Sequence, residues 1–96
     1  MLKDIKSEEF TVLKGTSLEI EANGQRHTVQ VVEVRPYEPH SERPQPPFSV
    51  VLLAGHALLL PQGIYRLHHP ARGALDLLMM PLGPDARGMR YEIVFN

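Results

Sequence analysis

"SLEIEANGQRHTVQVVEV", residues 17–34, alternates apolar and polar side chains around a central Asn-Gly pair. Before that pair, Leu18 and Ile20 are each flanked by polar residues, and this period of two is typical of a half-buried strand. Asn23 and Gly24 form the strongest short signal for a hairpin turn. The segment therefore predicts an antiparallel hairpin, and with it a β-rich fold.

In the second strand of this hairpin, His27 to Val34, the valines switch from one face of the strand to the other. Val29 and Val31 share one parity, whereas Val32 and Val34 share the other. A β-bulge inserts one extra residue and reverses the parity of all that follow. The pattern therefore predicts a bulge near Val31 and Val32.

Other short apolar segments follow, separated by glycine and proline turn signals. A short helix is predicted over 7–14, ended by Gly15. Loops are predicted at Pro36–Pro47, where a PxxP pattern occupies Pro44–Pro47, and at Pro81–Gly88. The strands, in addition to 17–22 and 27–34, are predicted at 48–54, 64–69, 74–80 and 90–95.

These elements predict a mainly all-β fold with about six antiparallel strands and one short N-terminal helix. The pattern does not distinguish a small barrel from a sandwich. The length of 96 residues is that of one domain, so residues 1–96 are expected to form a single domain.

Net charge, cysteine content and the length of apolar segments limit which partners and which cellular compartment are expected. A formal net charge of -1 lacks the basic excess of a nucleic-acid-binding protein. There is no cysteine, which excludes disulfides and thiolate sites. The start, MLKDIKSEEF, is charged and lacks the apolar core of a secretory signal, so no such signal is expected. The apolar run 50–60 is shorter than the roughly 20 residues that span a bilayer. The expectation is a cytoplasmic protein, with export by a signal-independent route left open.

Catalytic motifs are not recognisable in the sequence. It contains no nucleophile elbow, phosphate-binding loop or zinc-protease helix. The expectation is a protein without catalytic residues, cofactor or metal. A competing enzyme hypothesis is a small β-barrel hydrolase or isomerase, which would need Asp85, Glu92 and a histidine to line one pocket.

Five histidines are the ambiguous signal. His68 and His69 are adjacent in a predicted strand and therefore point to opposite faces, so they cannot share one metal ion. The candidate ligand set is His27, His56 and one of the pair, with His69 the first to test. The alternative is that the histidines lie at the surface and in turns.

An excess of apolar residues interrupts the expected alternation at Val50–Leu53, Leu58–Leu60 and Leu77–Met80. A strand with one wetted face should alternate. Few residues remain in a chain of this length to cover a second apolar face, so the helix, a partner or a second copy is expected to do so. Adjacent methionines suit an adaptable contact surface, and the alternative is that Met79 and Met80 fill the core.

Three stretches carry a family resemblance: MLKDIKSEEFTVLKGTSLEI at 1–20, PQGIYRLHHP at 61–70 and PLGPDARGMRYEIVFN at 81–96. Together they resemble an uncharacterised bacterial family of similar length, in which an L-PQG-Y-L-HP segment precedes a terminal P-GPD-GMRYE-VFN motif. The family has no assigned activity. The resemblance implies genes that often neighbour those of phage-type tail-collar fibre proteins, and hence an accessory or assembly role in which the protein is incorporated into a secreted or phage-like assembly. His68 replaces a glutamate of the family pattern, which weakens a metal role for this residue.

The terminal motif also makes structural sense residue by residue. Gly83 and Gly88 permit a positive φ at the two ends of the loop. Pro84 followed by Asp85 fits a type I turn with the proline at its second position.

Charge pairing and the last strand complete the prediction for this motif. Arg87 or Arg90 is expected to pair with Asp85 or Glu92, with Asp85 and Arg90 holding the loop. The spacing of Tyr91, Ile93 and Phe95 places three large side chains on one face of the last strand, where they are expected to enter the core.

The interpretation favoured by these observations is a non-enzymatic binding or assembly module whose partner is a protein or a second copy of the chain. The alternative is a small barrel that binds a small apolar ligand. The candidate interaction residues are Leu58, Leu59, Leu60, Met79, Met80, Asp85, Arg87 and Arg90.

Overall fold

A computed structural model describes residues 4–37 and 46–95. The predicted hairpin is present: β1 (Ser17–Ala22) pairs antiparallel with β2 (Gln25–Pro36). Asn23 and Gly24 both have positive φ, 55° and 75°, as the tight turn between two strands requires. The strand after the turn is longer at both ends than the alternation predicted.

The predicted bulge lies in β2, where the pairing register with the next strand shifts between Val31 and Glu33. Val31 also exchanges backbone hydrogen bonds with the segment that follows the helix: Gly15 N donates to Val31 O at 2.8 Å, and Val31 N donates to Thr16 O at 3.1 Å. Gly15 has a φ of 84°, but the helix ends earlier, at Thr11 with Val12 as its C-cap, so the prediction that Gly15 ends the helix was wrong. The bulge is therefore the place where the helical segment joins the sheet.

The remaining elements agree with the sequence-based prediction in number and type, with changes at their ends. The helix is shorter than predicted, and the fifth strand is longer, running through part of the predicted loop 81–88 as far as Pro84. Pro81 and Pro84 both pair with β6, and the pairing register shifts between Pro81 and Gly83, as is common where a strand contains proline. The elements are α1 (Glu8–Thr11), β3 (Phe48–Ala54), β4 (Gly63–His69), β5 (Gly73–Pro84) and β6 (Met89–Phe95).

The six strands close into a barrel in the order β1-β2-β3-β6-β5-β4, with all neighbours antiparallel. This decides between the barrel and the sandwich. Closure occurs between β1 and β4, through only three residue pairs: Glu19 with His68, Ile20 with Leu67, and Glu21 with Arg66. The other neighbouring strands are joined over longer registers.

The α1 side of the barrel, called here the helix end, is closed by aromatic rings. Phe48 and Phe95 stack with ring centroids 4.5 Å apart, and Phe10 from the helix lies 5.4 Å from Phe95. The edge of His69 meets Phe10 at 5.0 Å and 82°. All four side chains are buried, so the helix closes the barrel by apolar contact.

The last strand enters the core as its spacing predicted. Tyr91, Ile93 and Phe95 are all buried, and they alternate with half-buried residues. Around them the interior is filled by side chains from all six strands, among them Leu52, Leu67 and Met79.

The outer face of β3 explains one of the non-alternating apolar runs. Val51 points away from the barrel interior yet is buried, because Glu33 and Glu92 flank it on the neighbouring strands. Arg35 lies over this face, with its Nε 2.8 Å from Glu33 and its Nη1 3.7 Å from Glu92. The stems of long charged side chains can cover apolar surface. The second apolar face of β3 is therefore covered without a partner.

The predicted proline-rich loop is only partly described. The proline-rich loop and its PxxP pattern, with His40, fall mainly on residues 38–45, which lie outside the described residues. At its flanks, Tyr37 N donates to Pro47 O at 3.0 Å.

Among the described residues, no helix is long and apolar enough to cross a membrane.

Candidate interaction surface

The side chain of Asp85 organises the tight turn between β5 and β6. Its Oδ1 accepts hydrogen bonds from Arg87 N at 2.8 Å and Gly88 N at 3.2 Å, and its own N–H donates to Gly88 O at 2.8 Å. The bond from Arg87 N is the main reason that the pKa of the Asp85 carboxyl lies below its usual range. The turn therefore starts at Asp85, and the prediction that placed Pro84 inside it was wrong, because Pro84 ends β5.

The two glycines of the motif serve different purposes. Gly83 has a φ of 103°, as predicted. Gly88 has an ordinary φ, contrary to the prediction, but a Cβ at this position would overlap the carbonyl oxygen of Ala54 on β3. Glycine is thus required at Gly88 by the close approach of two backbones.

Two arginines lie beside Oδ2, the second carboxylate oxygen of Asp85. Arg87 Nη2 is 3.3 Å from Asp85 Oδ2, and Arg90 Nε is 3.8 Å from the same atom. This confirms the predicted pairing of Asp85, whereas Glu92 pairs with Arg35 and accepts a hydrogen bond from Tyr37 at 3.4 Å. Arg90 Nε is buried and has no hydrogen-bond partner within the described part of the chain.

A buried hydroxyl helps to hold the loop after β3. Tyr91 OH donates to Leu58 O and accepts from Leu60 N at 2.9 Å. This fixes Leu60 in the core and leaves Leu58 half-buried, while Leu59 between them is 72% exposed. Of the three leucines predicted for an interaction surface, Leu59 alone is available to a partner.

The adjacent methionines also divide between the two sides of the barrel. Met79 is buried in the core, while Met80 is half-buried on the outer face of β5, paired with Glu92. Met79 and Leu60 are therefore corrected from interaction residues to core residues, since both side chains are covered within the chain itself.

His56 connects the loop to the turn, a role that the sequence did not indicate. Its Nε2 lies 2.9 Å from the backbone oxygen of Asp85 and therefore donates to it. The loop that carries the exposed Leu59 is thus tied to the Asp85 turn, and both lie at the end of the barrel opposite α1. We call this set of Leu59, His56, Asp85, Arg87 and Arg90 the loop-end surface.

The same geometry bears on the enzyme and metal hypotheses. His56 contacts the backbone of Asp85 and not its carboxylate, and Glu92 lies in the Arg35 network, so these groups do not form a carboxylate–histidine dyad. Within residues 4–37 and 46–95, no three potential ligands lie close enough together to hold a metal ion.

His68 and His69 point to opposite faces, as the strand period predicted. His68 contacts Glu21 on the outer face. Inside, His69 Nδ1 accepts from Ala71 N at 3.0 Å and from Arg72 N at 3.2 Å, so its Nε2 carries the proton and donates to Glu9 O at 2.9 Å. His69 is fully used in joining α1 to the β4–β5 turn.

The Glu9 side chain strengthens that junction. Arg72 Nε donates to Glu9 Oε1 at 2.6 Å, and Arg72 Nη2 donates to Oε2 at 2.9 Å. These two bonds, more than any other contact, lower the pKa of Glu9 to about 2. The pair lies at the helix end, away from the loop-end surface.

Comparison with known proteins identifies a family. Comparisons with curated proteins and with solved structures give no significant match. A family model described as "Domain of unknown function (DUF6916)" matches residues 5–95, which include α1 and all six strands. The chain therefore belongs to this family of domains of unknown function.

Proposed function

We propose that the protein is a non-enzymatic binding or assembly module that contacts a protein partner through its loop-end surface. The observation that carries the proposal is the exposure of Leu59 on a loop whose neighbouring backbone groups are fixed by Tyr91. Because the neighbouring backbone is already ordered, less conformational entropy is lost when the Leu59 side chain binds.

The charged turn beside Leu59 has the composition expected around such an anchor. Protein interfaces combine an apolar centre with a polar rim, and arginine is enriched in them. Arg87 is exposed, and Arg90 keeps a buried Nε–H without a hydrogen-bond acceptor in the described chain. A carboxylate or carbonyl of a partner near this turn would accept hydrogen bonds from the exposed Arg87 guanidinium, whereas the buried Nε of Arg90 is out of its reach.

The wider setting rests on the family resemblance. We propose a role in a bacterial assembly of the phage-tail type, with the protein cytoplasmic before it is incorporated. The alternative function, binding of a small apolar ligand inside the barrel, is less well supported because Leu60 and Met79 help to fill the interior.

The test compares two exposed apolar residues at opposite ends of the barrel. Leu59→Ser removes the proposed anchor, and Val12→Ser, at a residue that is 75% exposed on the helix side, is the matched control. Each protein is co-purified from its native host, the bound proteins are identified, and binding is then measured with the purified partner. We expect wild type and Val12→Ser to retain the partner and Leu59→Ser to lose it. Recovery of wild type alone, or equal binding by both variants, would overturn the proposal.

A further inference from the structure

The outer face of β4 and β5 carries an apolar pair that none of the residues 4–37 and 46–95 covers. Ile64 and Leu78 lie directly opposite each other in the register and are 65% and 44% exposed. The outer face of β3 is different, because Val51 there is buried by its neighbours. Isolated exposed apolar residues are common, but a cross-strand pair forms a continuous patch.

The next two rows of this face are polar and small. Arg66 lies opposite Asp76, with Nε donating to Oδ1 at 2.9 Å and Nη2 donating to Oδ2 at 3.2 Å. In the following row, His68 lies opposite Ala74. The face therefore presents three rows, each made of one residue from β4 and one from β5.

Two copies of this face can be stacked on each other by a two-fold rotation, and each row then meets the same row of the other copy. If the axis runs parallel to the strands, midway between β4 and β5, every β4 residue lies over the β5 residue of the same row in a second copy. Arg66 then faces Asp76 of the second copy, Ile64 faces Leu78, and the large His68 faces the small Ala74. Opposite charges, apolar groups, and large and small side chains all match, as a two-fold interface requires.

We propose that the outer face of β4 and β5 is a self-association surface whose occupant is a second copy of this chain. The charge complementarity of the Arg66–Asp76 row selects this occupant and orients it. A face of two strands is smaller than a standard interface, so the dimer is weak and depends on concentration. The surface differs from the loop-end surface, and the inference stands whether or not the proposed function is correct.

Charge exchange tests this arrangement directly. Arg66→Asp and Asp76→Arg each place like charges against each other across the axis. An equimolar mixture of the two variants restores opposite charges at both contacts, as does the double exchange within one chain. We expect each single variant to raise the dimer dissociation constant at least about tenfold, because like charges in an interface are strongly unfavourable. The mixture and the double exchange should recover dimerisation.

Analytical ultracentrifugation of the untagged chain over a range of concentrations provides the measurement. The matched control is the pair of Arg26 on β2 and Glu19 on β1, since its side chains, 58% and 50% exposed, resemble Arg66 and Asp76 at 52% and 55%. Arg26→Glu should leave the dissociation constant unchanged. A second disruption, Ile64→Thr combined with Leu78→Thr, tests the apolar row without altering charge and should also weaken the dimer.

Two results would overturn the proposal. One is a wild-type chain that remains monomeric throughout, with no dimer in the mixture of charge variants. The other is a wild-type dimer that neither single charge variant weakens, which would place self-association on another face. Thermal melting of every variant establishes that it is folded before its mass is interpreted.

Discussion

Three phenylalanine rings close the barrel at the helix end, whereas the buried hydroxyl of Tyr91 helps to hold the loop that closes it at the opposite end. At the helix end, Phe10, Phe48 and Phe95 bring together segments that are distant in the chain. At the loop end, Tyr91 supplies a donor and an acceptor to the backbone of Leu58 and Leu60. The first closure depends on the volume of side chains and the second on satisfied polar groups. Substitutions can therefore separate the two.

The largest effect is expected from Phe95→Ala at the helix end. Removing a buried phenylalanine side chain destabilises a protein by about 3–5 kcal/mol, through lost burial and the remaining cavity. Urea denaturation gives the free energy of unfolding. Val94→Ala on the outer side of the same strand is the control, with an expected change of less than about 1 kcal/mol. If Phe95→Ala unfolds at the wild-type midpoint, the terminal strand does not contribute to the core.

A smaller loss is expected from Tyr91→Phe at the loop end. The ring remains, but Leu58 O and Leu60 N lose their shared partner, and an unsatisfied buried polar group costs about 1–3 kcal/mol. Tyr65→Phe is the control, because its hydroxyl donates to Pro61 O at 2.7 Å in an exposed setting. Equal effects in the two variants would show that water replaces the Tyr91 hydroxyl without cost, and that the closure is not polar in origin.

The Asp85 turn should respond as a capped turn and not as an exposed ion pair. Asp85→Ala removes the acceptor for two backbone N–H groups and should therefore lower the denaturation midpoint, by less than Tyr91→Phe does. Asp85→Asn retains an oxygen acceptor and should recover most of this loss. If Asp85→Asn is as unstable as Asp85→Ala in urea denaturation, the arginine contacts dominate instead.

The smallest expected effect depends on pH and concerns the helix end. The pKa of Glu9 is lowered from 4.5 to about 2, so its pair with Arg72 stabilises the folded state above pH 4.5 and is lost as the pH falls towards 2. After solvent screening, we expect a contribution of about 1 kcal/mol at neutral pH. Glu9→Gln should therefore be less stable than wild type at pH 7, and the difference in unfolding free energy should shrink towards pH 2. A difference that does not depend on pH would contradict the assignment.

The hairpin at the start of the barrel could be predicted because its signals are local. Asn23-Gly24 specifies the turn, and the change of parity among the valines specifies the bulge. The burial of Tyr91, Ile93 and Phe95 also follows from spacing within one strand. In each case, neighbouring residues contain the information that determines the structure.

The loop-end surface could be predicted only in part because its exposure depends on distant residues. The apolar run Leu58–Leu60 has no period, and Tyr91, far along the chain, decides that Leu59 is the exposed member. The need for glycine at Gly88 likewise comes from Ala54 on another strand. The strand period alone could have assigned Met79 to the core, since it shares its parity with the buried Leu77.

The short junction between β1 and β4 has a kinetic consequence. Each of these strands pairs with a sequence neighbour in a hairpin, but joining them closes a long loop, and the entropy cost of closure grows with loop length. Only three residue pairs offset that cost. We expect the junction to form late in folding and to open first in the native state. Amide hydrogens at Glu19–Glu21 should then exchange with solvent faster than those at Val50–Leu52, because the barrel uncurls into an open sheet before it unfolds.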